Sequence, residues 1–416
     1  MASKDAARDT FVRNVRALFA VQLLTYLLPL ALVPFLTRKL GLESYGVVAA
    51  GIAFSQVLSV IVDFGFNLSA TYSVATSQQQ SKSVSQLYSS VAASKALIFL
   101  AVLAALLPLF LTGVVPQQHK AFFLAMILPV ALQVMQPMWL LHGLQRAGAV
   151  AMYTLISRGT FCASVLLLVR GPDDTLVVAG SNALGHLLAA VAATQTARRL
   201  GYVLAWPTWR AVTDECRSAF PFFLSRVAVM MYTSGATLIL AVASGPAEVA
   251  RYAVAEQLFR GAQSLFASVP QALFPNMARD RDYEMFRKVL VMAVVGGAAG
   301  LVLGVLVGEE LLSLIFGSEY VASFPVLVVF IATLSVVMPS TLLGYPLMGA
   351  LGKLRVANNS VLLGGAIQAA SFLVLLACGQ MSALSVAVSI LATEIIVLTY
   401  RIWHASRNSV WRLKVV

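Results

Sequence analysis

Charged side chains are scarce in this sequence. Asp, Glu, Lys and Arg make up 11% of the 416 residues, whereas 59% of the residues are hydrophobic. In an ordinary soluble domain about a quarter of the residues are charged, and so few charges could not cover the apolar surface of a soluble core of this length. The composition therefore predicts an integral membrane protein, for which no nucleic-acid partner is expected.

Residues that ligate metals or act as nucleophiles are also few. The three cysteines form no CxxC pair, and the four histidines show no HxxxH spacing. The chain contains no GxSxG elbow, no Walker A sequence and no HExxH motif. These absences predict a protein that is not an enzyme, holds no metal or cofactor and does not itself bind ATP.

Long apolar runs fill most of the chain. A transmembrane helix needs about 20 apolar residues, and twelve runs approach or exceed that length. They cover residues 18–36, 46–66, 91–112, 121–141, 150–169, 176–196, 220–243, 251–277, 289–307, 322–344, 356–377 and 383–403. The connections between them are too short to hold a folded domain. The expected fold is all-α and polytopic, with about twelve transmembrane helices.

The basic residues alternate across the predicted membrane. With a cytoplasmic N-terminus, 21 of the 29 Lys and Arg residues flank cytoplasmic helix ends, five flank the opposite ends and three lie within helices. Basic residues are enriched on the cytoplasmic side of membrane proteins. Because twelve is even, both termini are predicted to be cytoplasmic.

The largest cytoplasmic connection, at about residues 197–219, divides the helices into two sets of six. Each set begins on the cytoplasmic side, so the two would be related by a pseudo-two-fold axis along the membrane normal. The sequence thus predicts an N-terminal six-helix lobe at 1–205 and a C-terminal six-helix lobe at 206–416.

Six ionisable residues lie within the predicted helices. Each costs roughly 2.5–3.5 kcal/mol on insertion scales, and such residues generally serve a function. They are Asp63, Arg158, Arg226, Glu256, Arg260 and Glu394. Together with polar stripes on helices of both halves, they suggest a wet cavity between the two lobes, with net cationic character in its second half.

Structural roles are open for most of these residues. Arg226 lies close enough to a helix end to reach the cytoplasmic surface, and Arg158 is near that limit. Glu256 and Arg260 are four residues apart and could neutralise each other. Asp63 near a helix end could be a cap or turn residue, whereas Glu394 lies near the middle of its run.

Several stretches resemble the bacterial polysaccharide biosynthesis flippases, which translocate O-antigen and exopolysaccharide repeat units. These proteins belong to the multidrug/oligosaccharidyl-lipid/polysaccharide exporter superfamily. The stretches that carry the resemblance are Leu28 to Gly46, Asp63-Phe64-Gly65-Phe66 with Ala70-Thr71, Trp139 to Gly143 with Tyr153 and Arg158, Phe222 to Arg226 with Tyr232-Thr233, Val249 to Glu256, and Gln271 to Pro275. The sequence departs from the family pattern at His142 and Gln257, so no site role is transferred to those positions.

The resemblance implies a flippase for undecaprenyl-diphosphate-linked oligosaccharide repeat units in the bacterial inner membrane, working by alternating access. Arg158, Arg226 and Arg260 are the candidates for binding the anionic head group, because guanidinium groups suit phosphate oxygens. Asp63, Glu256 and Glu394 are candidates for coupling to protons or sodium. Membrane lipid, a polysaccharide polymerase and chain-length machinery are the further partners considered.

Two other functions stay open. A multidrug exporter of the same superfamily would share the two lobes, although a cationic cavity would repel cationic drugs. A polytopic membrane enzyme of polysaccharide assembly would need a sizeable external loop or clustered polar residues outside the helices, and the sequence has neither.

Overall fold

The computed structural model describes the backbone of residues 2–76, 81–113 and 115–407, and the side chains of residues 31–76, 84–113 and 115–407. Within these ranges the chain is helical and has no β-strand. The α-helices are α1 (Ala2–Asp63), α2 (Phe66–Thr76), α3 (Ser81–Leu111), α4 (Lys120–Ala125), α5 (Leu128–Val134), α6 (Met138–Gly143), α7 (Ala147–Leu168), α8 (Thr175–Arg199), α9 (Trp209–Tyr232), α10 (Ser234–Ala243), α11 (Pro246–Phe266), α12 (Ser268–Asp280), α13 (Tyr283–Phe316), α14 (Phe324–Leu342), α15 (Met348–Ala350), α16 (Leu354–Ala377) and α17 (Ala383–Ser406).

Nine segments of the described chain are long and apolar enough to cross a membrane, and the pair α9 and α10, bent by 56°, is a tenth. The segments are Ala31–Asp63, Val84–Leu111, Gln117–Gly143, Ala147–Leu168, Thr175–Arg199, Tyr283–Phe316, Ser318–Ala350, Leu354–Ala377 and Ala383–Ser406. The predicted all-α, multi-pass membrane fold is confirmed. Many leucines and valines on the outer faces of these helices are exposed, as expected for side chains that contact lipid.

The number twelve stays a prediction, because two of the predicted runs do not stand alone as apolar spans. The first two runs belong to the single helix α1, which is bent at Gly41 with φ +74°, a left-handed conformation that suits glycine. The eighth run corresponds to α11 and α12, and four charged residues in α11 alone lower its hydropathy. The side chains before residue 31 and the residues after 407 lie outside the described part, so the location of the termini also stays a prediction.

The chain divides into two compact units. One comprises Met1–Leu32 and Gly51–Val227, and the other comprises Val33–Ala50 and Ala228–Val416. They are called the first and second unit below. This division places Arg226 in the first unit, although it lies beyond the predicted boundary at residue 205. Two six-helix lobes at 1–205 and 206–416 remain a prediction.

Each unit has its own apolar core. In the first unit, Phe66 and Ala70 of α2 pack with Trp139 of α6 and with Ala219 of α9. In the second unit, α14 packs against α11, α13 and α17. Glycines of α13 face α14, where the Ser335 hydroxyl donates a hydrogen bond to the carbonyl oxygen of Gly297 at 2.8 Å. Small residues at such a contact let two helix backbones approach closely.

Candidate functional site

The site in the first unit begins at the turn between α1 and α2. Phe64 has φ +48° and Gly65 has φ +83°, so the chain reverses in two left-handed residues directly after Asp63. The turn packs onto α9, where the Phe64 ring stacks on the Phe223 ring with centroids 4.6 Å apart. A Cβ atom on Gly65 would lie 2.8 Å from the carbonyl oxygen of Ala219. The absence of a side chain at Gly65 therefore permits this close approach.

A buried ion pair connects the end of α1 to the middle of α3. Lys95 Nζ lies 2.8 Å from Asp63 Oδ1, and the two side chains are 6% and 12% exposed. The other carboxylate oxygen of Asp63 accepts a long hydrogen bond, 3.4 Å, from the backbone N–H of Asn67 in the first turn of α2. Asp63 is thus both the partner of a cation and a residue of the turn, as one of the structural alternatives predicted.

A break in the fourth predicted span brings amide side chains to the same place. α5 ends at Val134 and α6 begins at Met138, with Gln136 and Pro137 in the interruption. Broken membrane helices occur where the chain lines a cavity. Gln136 is half-buried, and its side-chain N–H₂ donates to the carbonyl oxygen of His186 at 3.0 Å.

These elements surround a cavity of about 140 Å³. A water molecule needs about 10–15 Å³ of such space, so the cavity holds several waters or a group the size of a phosphate. The lining residues are Ser59, Val60, Val62, Asp63, Asn67, Lys95, Val130, Gln133, Val134, Gln136, Met138 and Arg226. All of them belong to the first unit.

Arg226 makes the cavity net cationic. Asp63 and Lys95 cancel each other's charge, whereas the exposed side chain of Arg226 makes no hydrogen bond or ion pair with any described residue. Gln133, Gln136 and Asn67 add uncharged donors and acceptors to the wall. The arrangement is suited to a ligand with an anionic group that binds Arg226 and with adjacent polar atoms that form hydrogen bonds to the amide side chains.

Arg158 lies in α7, outside the lining of this cavity. It is half-buried and, within the described part of the chain, has neither a hydrogen bond nor an ion pair. Arg158 and His186 interact electrostatically, and His186 is bonded to Gln136 in the cavity wall. His186 therefore connects Arg158 to Gln136 in the cavity wall.

The second unit holds the other predicted pair. Arg260 Nη2 lies 2.7 Å from Glu256 Oε1 on the same face of α11. The Thr237 hydroxyl of α10 donates to the second carboxylate oxygen of Glu256 at 3.2 Å. Their spacing of four residues allowed for mutual neutralisation, and the side chains form that pair. Arg260 is thus paired with a carboxylate, whereas Arg226 forms no ion pair within the described part of the chain.

We expect the variant Arg260→Ala to lower the melting temperature of the purified protein, because Glu256 would remain largely buried without its cation. Loss of one partner of a fully buried pair costs about 3–5 kcal/mol, and the partial exposure of Arg260 reduces this to about 2 kcal/mol. Adding Glu256→Gln should restore much of the stability, since a glutamine can still accept from Thr237. An unchanged melting temperature in Arg260→Ala would contradict a stabilising role for the pair.

Glu394 lies on α17 in the second unit, half-buried and without a hydrogen bond or ion pair to any described residue. Arg401, on the same helix, is 8% exposed. Its guanidinium donates to the hydroxyl of Ser360 at 2.9 Å and to the carbonyl oxygen of Ser340 at 2.8 Å. Glu394 interacts electrostatically with Arg401 and with Tyr232.

Two buried cations were missed by the sequence analysis. Lys95 and Arg401 were both counted among the basic residues that flank cytoplasmic helix ends, yet both side chains are buried inside apolar spans. The available signal was their position within the apolar runs 91–112 and 383–403. A lone carboxylate such as Asp63 inside the membrane also predicts a basic partner.

Comparisons with known proteins agree with this fold. Residues 11–280 match the family described as "Polysaccharide biosynthesis protein". A protein of Shigella dysenteriae, named as a candidate O-antigen transporter, is 26% identical over 85% of this chain and 90% of its own length. Among solved structures, a lipid II flippase in an inward closed conformation has a TM-score of 0.70 at 12% identity, covering 95% of this chain and 87% of that chain. An inward-facing multidrug resistance transporter has a TM-score of 0.66 at 11% identity, covering 96% of this chain and 99% of that chain. At such identities the two structures establish the fold alone.

Proposed function

Because the chain belongs to the polysaccharide biosynthesis protein family, we propose that it is a flippase for undecaprenyl-diphosphate-linked oligosaccharide repeat units, used in O-antigen or exopolysaccharide assembly. The resemblance seen in the sequence is thereby confirmed at the level of the family. The relative named for O-antigen transport matches most of both chains and supports this substrate class.

The observation that links the proposed function to a site is Arg226, which lines the cavity of the first unit and has no ion pair among the residues that the structure describes. A diphosphate cannot cross hydrocarbon unaided, because an unpaired charge in the bilayer is costly. Arg226 would bind it through charge-assisted hydrogen bonds. A cavity of about 140 Å³ suits the phosphate portion and the atoms next to it, while the polyprenyl tail stays in the lipid.

The other predicted site residues differ in how much they contribute to anion binding in this proposal. Arg158 would act on the same anion from behind Gln136 and His186, whereas Arg260 has a local partner and contributes less to anion binding. Asp63, Glu256 and Glu394 remain the candidates for ion coupling. Transport by alternating access would open the site to one face of the membrane at a time.

The proposal places the chain, a multi-pass membrane protein, in the bacterial inner membrane with both termini in the cytoplasm. The distribution of basic residues supports this orientation. In this setting the protein moves its substrate without chemical change. A polysaccharide polymerase and chain-length machinery would act on the translocated product.

The proposed transport can be measured in proteoliposomes. Purified protein is reconstituted with a fluorescent undecaprenyl-diphosphate-linked oligosaccharide, and the lipid reaching the other leaflet is detected with a membrane-impermeant quencher. We expect protein-dependent translocation above empty vesicles and no export of ethidium, a cationic drug that Arg226 would repel. Ethidium export without movement of the glycolipid would identify a multidrug exporter instead.

A further inference from the structure

We propose that Asp63 is an internal competitor for the anionic group: it holds Lys95 while the cavity is empty, and the bound anion takes its place. This inference rests on the proposed function, since it assigns the anion to the same cavity. It adds Lys95 to the residues that contact substrate. It also gives the carboxylate a role in weakening binding and promoting release.

The geometry leaves Lys95 able to bind more than Asp63. A lysine ammonium has three N–H donors, and Asp63 Oδ1 is the one hydrogen-bond partner of Lys95 among the described residues. Both side chains line the cavity that also contains Arg226. An anion placed there would meet the Arg226 guanidinium, which is unpaired among the described residues, and an ammonium with donors that Asp63 does not use.

Asp63 also has a second hydrogen-bond donor within reach, which it can use when it releases Lys95. Its Oδ2 atom is 3.4 Å from the backbone N–H of Asn67, which is longer than a normal hydrogen bond of 2.7–3.2 Å. That N–H belongs to the first turn of α2, and the N-terminus of a helix attracts a carboxylate. When an anion binds Lys95 in place of Asp63, the Asp63 carboxylate can move closer to the Asn67 N–H and keep a hydrogen-bond partner.

The competition sets how tightly the site holds its anion. Two cations in a low-dielectric cavity would retain a diphosphate strongly, and tight ground-state binding slows release. A carboxylate that recaptures Lys95 offsets part of that attraction. The number of cations available to the anion is thus one in the resting state and two once Asp63 has moved.

Binding of inorganic pyrophosphate to the purified full-length protein, measured by calorimetry, tests the inference. We expect Asp63→Asn to raise the affinity about tenfold, because the competitor loses its charge. Lys95→Gln should lower the affinity about tenfold, and it should lower the affinity in the Asp63→Asn background as well, because Lys95 itself contacts the bound anion. Glu248→Gln in the second unit removes a carboxylate that is also ion-paired, to Arg251 at 2.8 Å, and should leave the affinity unchanged.

A purely structural ion pair gives a different pattern. Asp63→Asn would then lower the melting temperature and leave pyrophosphate affinity unchanged or reduced, which overturns the inference. Asp63→Ser provides a smaller neutral replacement if the asparagine variant does not fold, with the same expected gain. Wild-type protein that moves the glycolipid in proteoliposomes but binds no pyrophosphate also overturns it, while leaving the proposed function intact. Absence of both activities would count against the proposed function itself.

Discussion

Arg226→Ala is expected to reduce glycolipid translocation roughly 10- to 100-fold at unchanged protein level. Removing this guanidinium leaves Asp63 and Lys95 as the charged groups of the cavity, and their charges cancel. A hydrogen bond to a charged group contributes about 1.5–3 kcal/mol, and each 1.4 kcal/mol corresponds to about a factor of ten. The rate is measured in the proteoliposome assay, with complementation of a flippase-deficient strain as the readout in cells.

Arg210 provides a matched control for this variant. It lies on the same helix, α9, and its side chain is 92% exposed beside Asp214, so Arg210→Ala removes the same charge away from the cavity. We expect wild-type transport from it. Arg226→Lys should give an intermediate rate, because lysine keeps the charge but lacks the planar fork that fits phosphate oxygens. Wild-type transport by Arg226→Ala would refute the assignment of this residue.

The sequence was sufficient to predict the fold class and many of the ionisable residues inside the membrane. Long apolar runs report directly on membrane spans, because the bilayer sets their length. The spacing of Glu256 and Arg260 predicted their pairing, since residues four apart share a helix face. Each of these inferences depends on local sequence alone.

The association of Asp63, Lys95 and Arg226 was beyond such reasoning. It depends on a left-handed turn at Gly65, on the interruption at Gln136 and on contacts between helices distant in sequence. Lys95 was assigned to the membrane surface because charge counting uses distance from the end of an apolar run. The distance from the end of an apolar run does not show whether a neighbouring helix places a carboxylate within reach of the lysine.

Gly65→Ala is expected to destabilise the protein by about 2–5 kcal/mol and to lower transport. A left-handed conformation costs a residue with a Cβ about 1–2 kcal/mol, and overpacking costs about 1–3 kcal/mol more. The new Cβ would lie 2.8 Å from Phe223 N and 2.9 Å from Phe222 Cβ. Because two of its three closest contacts are backbone atoms, α9 would have to shift as a unit and carry Arg226 away from Asp63. Thermal unfolding of the purified protein measures the first effect, and the proteoliposome assay measures the second.

Gly201→Ala separates backbone strain from the clash. Gly201 has φ +87°, close to the +83° of Gly65, but a Cβ there would meet no atom within 4 Å. We expect it to lose about 1 kcal/mol from the left-handed conformation and to transport normally. Equal destabilisation by the two variants, with transport preserved in both, would mean that the contact between the turn and α9 does not hold the site together. A larger loss in Gly65→Ala, accompanied by weaker pyrophosphate binding, would show that this one close approach sets the distance between the acidic and basic sides of the cavity.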